Sequence, residues 1–414
     1  MEKALLITVD PGFREEWTPE EKAEELKELV ISSGAKVINE EIVKRSEISP
    51  ALYIGKGKAE EISDICAEMD INVVVFNNEL TGTQQKNLEE IIEVKTLDRT
   101  QLILDIFARR AKSNEGKIQV ELAQLLYLLP RLKGEGILLS QLGGGIGTRG
   151  PGEQKLEVDR RRIKARITKL KEGLESISTQ RETRRKKRYD FSLLTAAIIG
   201  YTNAGKSTLL NSLTGSDVIT EDRLFSTLDP TIRAYILPNK QKIMLSDTVG
   251  FLNELPHHLI ESFKATLEEV IEAGLLIHVI DASHPKCVQH KKAVYDVLME
   301  LGAEHKPIIH VLNKIDKIDN EKEAERLSQE FGGIPMSALK KIGLERLIDR
   351  IVLFMSDIMA DINIYIPQHN IKAINFIHEH AQIFKKEYIG DKVYIEAQIP
   401  SRLKPIVEKM IETQ

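Results

Sequence analysis

The densest chemistry in the chain lies in the octapeptide Gly200-Tyr201-Thr202-Asn203-Ala204-Gly205-Lys206-Ser207. Its glycines let backbone N–H groups turn toward phosphate oxygens, and the N-terminus of the helix beginning Thr208-Leu209-Leu210 adds positive potential. Lys206 is placed to pair β- and γ-phosphates, and Ser207 to ligate Mg²⁺. An apolar run precedes the octapeptide and Thr208-Leu209-Leu210 follows it, the strand–loop–helix setting that the pattern requires.

Three later clusters narrow the ligand. Asp247-Thr248-Val249-Gly250 ends an apolar run, where the Asp can reach Mg²⁺ through water and the Gly N–H can meet a γ-phosphate. Asn313-Lys314-Ile315-Asp316 ends another. The Asp316 carboxylate can accept from guanine N1–H and the 2-amino group together, whereas adenine has a donor at neither position. Ser337-Ala338 follows a later strand and can close over the base. Four clusters in this order point to GTP. The candidate catalytic groups are Lys206, Gly250 and a threonine of Phe225-Ser226-Thr227-Leu228-Asp229-Pro230-Thr231. A γ-phosphate sensor gives its hydroxyl to Mg²⁺, and both Thr227 and Thr231 have the spacing for it. Many GTPases place a water-orienting Gln directly after the Asp-x-x-Gly cluster, but here that residue is Phe251. The protein alone is expected to bind GTP well and cleave it slowly.

The surrounding elements read as α/β. Residues 1–98 alternate strand-like runs (Ala4–Val9, Lys36–Asn39, Leu52–Ile54, Val73–Phe76, Val94–Leu97) with charged amphipathic stretches, a small α/β domain with a mostly parallel sheet. Residues 99–189 change period. Ile118, Leu122, Leu125, Leu129 and Leu132, then Leu156, Ile163, Ile167, Leu170, Leu174 and Ile177, form a heptad-like seam on two helices that should fold back as a hairpin. Between them, six glycines in residues 143–152 cannot continue a helix. A flexible hinge is the compositional reading, but a hinge needs neither Thr148-Arg149 nor a basic helix directly after. Residues 190–356 read as the P-loop domain. Residues 357–414 read as a small α+β module of βαββα order with no catalytic constellation.

The chain carries a net charge of −5, which gives no global nucleic-acid signal. Segment 149–188 nevertheless holds 15 Lys/Arg against 6 Asp/Glu, a local +9 that leaves −14 for the remainder. Arg160-Arg161-Arg162 and Arg184-Arg185-Lys186-Lys187-Arg188 therefore point to polyanion contact rather than a mixed-sign solvated face. Cys66 and Cys287 are the only cysteines, which fits a reducing compartment. No run of about 18 apolar residues predicts a membrane span, and the first apolar run reads as a strand rather than a signal peptide. Gly55-Lys56-Gly57-Lys58 could be a phosphate loop or a tight β–α turn and receives no ligand, and no histidines show metal spacing.

These words together resemble the HflX-family GTPases, a branch close to the Obg-type translation GTPases. The resemblance is carried by Tyr53–Lys58, by Gly143-Gly144-Gly145-Ile146-Gly147-Thr148-Arg149-Gly150-Pro151-Gly152-Glu153, and by Gly200–Ser207, Phe225–Asp229, Asp247–Phe251 and Asn313–Asp316. It implies that Thr227 is the Mg²⁺-binding threonine. It also implies binding to the large ribosomal subunit and its rRNA, with subunit splitting or rescue of stalled ribosomes in the cytoplasm, often under heat stress. In several Obg-like GTPases an Asn at the position of Asn203 helps hold K⁺ beside the phosphates, so K⁺ joins Mg²⁺ as a candidate cofactor. A monomer is expected, although the sequence itself leaves oligomeric state open. The rival readings are a ribosome-assembly or RNA-remodelling factor using ATP on the same arm, and a nucleotide-gated binding module with negligible turnover.

Overall fold

The computed structural model describes the 414-residue chain except residues 14–15, 133–150, 191–193, 216–223, 255, 257–258, 260–261, 319–320, 402 and 413–414, and without the side chains of 151–156, 180–190, 264–266, 321, 323 and 357–358. Two units emerge. One is Met1–Glu175 together with Glu221–Asp229 and Glu254–Ala265; the other is Ser176–Thr220, Pro230–Asn253 and Thr266–Gln414.

The first unit begins β1 (Lys3–Asp10), α1 (Pro19–Ser33), β2 (Lys36–Lys44), α2 (Lys56–Glu68), β3 (Val73–Phe76), α3 (Gly82–Ile92), β4 (Lys95–Asp98), α4 (Arg99–Arg110). Its four strands are all parallel, in the order β2-β1-β3-β4. The near-continuous apolar runs of the two central strands, β1 and β3, are what a sheet covered on both faces requires, whereas β2 at the edge is polar and exposed or half-buried along most of its length. Leu5, Ile7, Val74 and Phe76 pack against Ile62 of α2 and Leu88 of α3. Helix α1 starts at a capping box, with Thr18 accepting from Glu21 N and Glu21 from Thr18 N. The buried Arg99 of α4 pairs with Glu25 of α1.

One expected strand does not form. Residues Leu52–Ile54 are a turn, because Tyr53 takes φ +61° and its backbone pairs with Ser49 instead of a sheet neighbour. Ile54 still drops into the core, which is why its pattern looked strand-like. Lys58, at the adjoining start of α2, is neutralised by Glu41 at 2.8 Å and Glu61 at 2.7 Å.

Helices α5 (Asn114–Arg131) and α6 (Pro151–Asp190) follow, the first unit holding α6 as far as Glu175. Leu122 packs with Ile167 and Leu170, flanked by Ile118, Leu125, Leu129, Ile163 and Leu174. Arg166 clamps Glu121 across the seam through two hydrogen bonds of 2.6 and 2.8 Å. Arg161 and Arg162 stay exposed, paired with Glu157 and Asp159 of their own helix. The glycine-rich words 143–150 lie outside the described residues.

The second unit holds β5 (Leu194–Gly200), α7 (Lys206–Thr214), β6 (Thr231–Ile236), β7 (Lys242–Asp247), α8 (Lys264–Glu272), β8 (Leu275–Asp281), α9 (Cys287–Glu300), β9 (Ile308–Asn313), α10 (Glu321–Phe331), β10 (Ile334–Pro335) and α11 (Leu344–Ile358). The sheet runs β10-β9-β8-β5-β7-β6, parallel except for β6. Ala196, Ile198, Leu245, Ile277 and Val311 form the centre of its core. The strand ends β5, β7, β8 and β9 deliver the P-loop, Asp247, Asp281 and Asn313 to one edge, where open α/β sheets bind ligands. Helix α11 leads directly into a module of β11 (Met359–Pro367), α12 (Ile371–His380), β12 (Gln382–Ile389), β13 (Lys392–Pro400) and α13 (Lys404–Glu412). Its antiparallel sheet has the order β11-β13-β12, with Ile377 of α12 and Val407 of α13 packed into one core.

Candidate nucleotide site

Strand β5 ends in a loop that leaves no room for a side chain at Gly205. Gly205 takes φ +97° at the start of α7, and a Cβ there would lie 2.3 Å from Asn313 Nδ2. A Cβ on Gly250 would lie 2.7 Å from Thr202 Cγ2 and 3.0 Å from Lys206 Nζ. The bare backbone is thus what lets two loops and a lysine share one cradle. Asn203 also adopts a left-handed φ of +59°.

Lys206 is folded back into its own loop, its ammonium donating to Tyr201 O at 2.8 Å and Gly200 O at 3.2 Å. Burial pushes it down to about 8, against the opposing attraction of Asp247. Ser207 Oγ donates to Asp247 Oδ2 at 2.6 Å, and Asp247 is fully buried. A hydroxyl and a buried carboxylate converging in this way are hard oxygen donors of the kind that suits Mg²⁺. Among the described residues no group of three or more His, Cys, Asp or Glu could hold a metal.

Asn313 does not point at solvent. Its Nδ2 donates to Ala204 O at 2.8 Å, and its Oδ1 accepts from Ala338 N at 2.9 Å. It therefore braces the P-loop against the Ser337-Ala338 loop. Lys314, at φ +63°, pairs with Asp281 at 2.7 Å. Asp316 stands half-buried on the short 3₁₀ turn Ile315–Lys317, with its backbone neighbour Ile315 N held by Met336 O.

Phe251 is 1% exposed. Its backbone bridges the loops, with N–H to Gly200 O at 3.1 Å and C=O from Thr202 N at 2.8 Å. Thr248 is likewise buried and donates to Ile198 O. Two contacts had no signal in the sequence. Tyr201 stacks on His290 at 3.8 Å and 6°, and its hydroxyl accepts from Asn253 N. Burial holds His290 down to about 3, so the stacked ring stays neutral. Asp281 as the lysine's partner could have been found only from its place at a strand end.

The segment Phe225–Asp229 is part of the first unit. Phe225 and Leu228 are buried there, Phe225 with its ring 4.7 Å from Phe107 edge-on. Ser226 and Thr227 are half-buried. Asp229, read from sequence with the nucleotide-binding residues, instead places its carboxylate on the amides of Lys112 and Ser113 at 2.9 and 2.8 Å.

Three family patterns match the chain in succession: GTP-binding GTPase N-terminal over residues 20–108, GTP-binding GTPase Middle Region over 110–188, and 50S ribosome-binding GTPase over 195–314. A protein called GTPase HflX from Caldanaerobacter subterraneus subsp. tengcongensis is 45% identical over 410 residues, 99% of this chain and 94% of that one. The GTPase HflX of Escherichia coli K12 is 38% identical over 383 residues, covering 92% and 89%. Among solved structures, a GTP-binding protein from the archaeon Sulfolobus solfataricus in complex with GDP is 30% identical, covering 86% of this chain and 99% of that one at a TM-score of 0.45. Among the described residues no helix is long and apolar enough to cross a membrane.

Proposed function

The chain belongs to the HflX family of GTPases, and from that premise we propose that it binds the large ribosomal subunit in the cytoplasm and couples GTP binding and hydrolysis to splitting or rescue of ribosomes under stress. The observation that carries this reading is a long helical hairpin with a +9 segment, built into an acidic chain that also carries a GTP-type site. Exposed Arg161 and Arg162 give that hairpin a cationic face suited to rRNA phosphates. The working parts are an N-terminal α/β domain (1–98), the hairpin (99–189), the GTPase domain (190–356) and a C-terminal module (357–414).

In the site, Gly200–Ser207 wrap the phosphates, and Lys206 leaves the carbonyls of Gly200 and Tyr201 to meet the β- and γ-oxygens. Ser207 and Thr227 would hold Mg²⁺ directly and Asp247 through water; bound there, the ion supplies charge neutralisation on the phosphate oxygens. Gly250 N–H faces the γ-phosphate, Asp316 reads guanine, and Ser337-Ala338 closes over the base. Asn203 is the group that would stand beside K⁺.

Sedimentation with isolated subunits, with GDP and with a non-hydrolysable GTP analogue, tests the reading. Binding to large subunits should fall steeply with salt, and neutralising Arg160-Arg161-Arg162 to Ala should weaken it by about tenfold or more while leaving GTP affinity unchanged. Wild-type subunit binding by that variant together with a flat salt profile would leave the hairpin as a hinge.

Lys206 adds a pH signature. At about 8 the buried amine loses its proton in the free protein, whereas phosphate contact would hold it protonated. Nucleotide binding above that pH therefore takes up a proton. Affinity for GTP should be level below about pH 8 and fall by up to about tenfold per unit above it. Calorimetry in buffers of different ionisation enthalpy measures the uptake, and none at about pH 9 would contradict it.

A further inference from the structure

Asp229 belongs to the GTPase stretch of the sequence, yet its carboxylate is seated on the start of helix α5. Three groups donate to it: Lys112 N, Ser113 N and the Ser113 hydroxyl. Ser113 is also the N-cap of α5, accepting from Gly116 N at 2.8 Å. The free amides and positive potential at a helix start favour a carboxylate there.

Gly116 is a helical residue, so its glycine is not needed for backbone conformation. A Cβ at that position would lie 2.4 Å from Asp229 Oδ1. The absent side chain leaves the space in which the carboxylate rests. Upstream, Leu224 N donates to Ser32 Oγ at 3.0 Å, and Phe225 is buried edge-on to Phe107. Downstream, only Pro230, with its fixed φ and missing N–H, separates Asp229 from Thr231, whose β6 backbone pairs with Asp247. Thr227 thus lies on a short span held at Phe225 and at Asp229.

We infer that Asp229 is a positioning residue for the GTP-bound state: docked on α5, it orders the segment carrying Thr227 before nucleotide arrives, so that coordination of Mg²⁺ costs less chain entropy. This rests on the assignment of Thr227 to Mg²⁺ made above.

Full-length Asp229→Ala, Asp229→Asn, Gly116→Ala and Thr227→Ala variants test it, each measured for affinity toward GDP and toward a non-hydrolysable GTP analogue with Mg²⁺. Asp229→Ala and Gly116→Ala alter opposite sides of one contact. Each should weaken the analogue by about tenfold, the scale of a lost charged hydrogen bond, and leave GDP within about twofold. Asp229→Asn still accepts from the amides and should lose less. The Asp229→Ala/Gly116→Ala pair should be no worse than Asp229→Ala alone. Alanine is the better helix former, so a deficit in Gly116→Ala is not a loss of α5. Equal loss of GDP and analogue would reduce the contact to scaffolding and overturn the inference. So would tighter analogue binding, or wild-type behaviour of both contact variants where Thr227→Ala is impaired. If Thr227→Ala itself changes nothing, the Mg²⁺ assignment fails, and the inference with it.

Discussion

Asp316→Asn should exchange guanine for xanthine. The carboxylate is the only group proposed to meet both guanine donors, and it stands half-buried on the Ile315–Lys317 turn. Two charge-assisted hydrogen bonds of about 1.5–3 kcal/mol each correspond to a GTP affinity lower by about 10²–10⁴-fold. An amide at that position donates to the 2-oxo group of xanthine, so xanthosine triphosphate should bind near the wild-type level for GTP. The framework should survive, because the loops are joined by Asn313, through Ala204 and Ala338, and not by Asp316. Competition of labelled GTP by GTP, xanthosine triphosphate and ATP measures this directly. A variant that keeps its guanine preference would refute the base-reading role, and a wild-type preference for ATP would favour the RNA-remodelling alternative.

Large ribosomal subunits should accelerate hydrolysis by about 10³–10⁵-fold, the range that external assistance reaches in other GTPases. The reason lies at Phe251. Its ring is buried and both backbone groups are engaged with Gly200 and Thr202, so nothing at that position can turn a water toward the γ-phosphate. Single-turnover hydrolysis with and without large subunits measures the effect, and matched KCl and NaCl in the same assay show whether K⁺ contributes. Fast hydrolysis by the protein alone, or no acceleration by subunits, would overturn the account. Truncating Phe251 to Ala is a poor probe, since a buried Phe→Ala cavity costs about 3–5 kcal/mol. Phe251→Leu keeps most of the volume and should leave both rates nearly unchanged.

The site was legible where chemistry is written in consecutive residues. Gly200–Ser207, Asp247–Gly250 and Asn313–Asp316 each occupy one strand end, so a single sequence carries their order and setting. Strands such as Val73–Phe76 were equally plain, because a buried parallel strand is a bare apolar run. The seam from Ile118 to Leu174 followed from helical spacing alone. What stayed hidden depends on residues far apart in the chain. No periodicity links Asp229 to Gly116, Tyr201 to His290, or Phe225 to Phe107. Leu52–Ile54 misled because burial of Ile54 imitates a strand, while the positive φ of Tyr53 is not encoded by its residue type. The buried His278 of β8 and the half-buried His310 of β9, the latter held down to about 4 by burial, carry no mark in the sequence either.

The passage of two later segments into the first unit has a consequence for how the chain comes into being. Phe107 is flanked edge-on by Phe225 and Phe263, each at 4.7 Å. Synthesis proceeds from the N-terminus, so the parallel sheet of the first unit can assemble early, but this aromatic cluster stays unfilled until residue 263 has left the exit tunnel. Until then Phe107 and the start of α5 present unsatisfied apolar and polar surface on the nascent chain. The last step in closing the N-terminal unit therefore waits on synthesis of most of the GTPase domain, and a nascent chain released before that point carries its own exposed core.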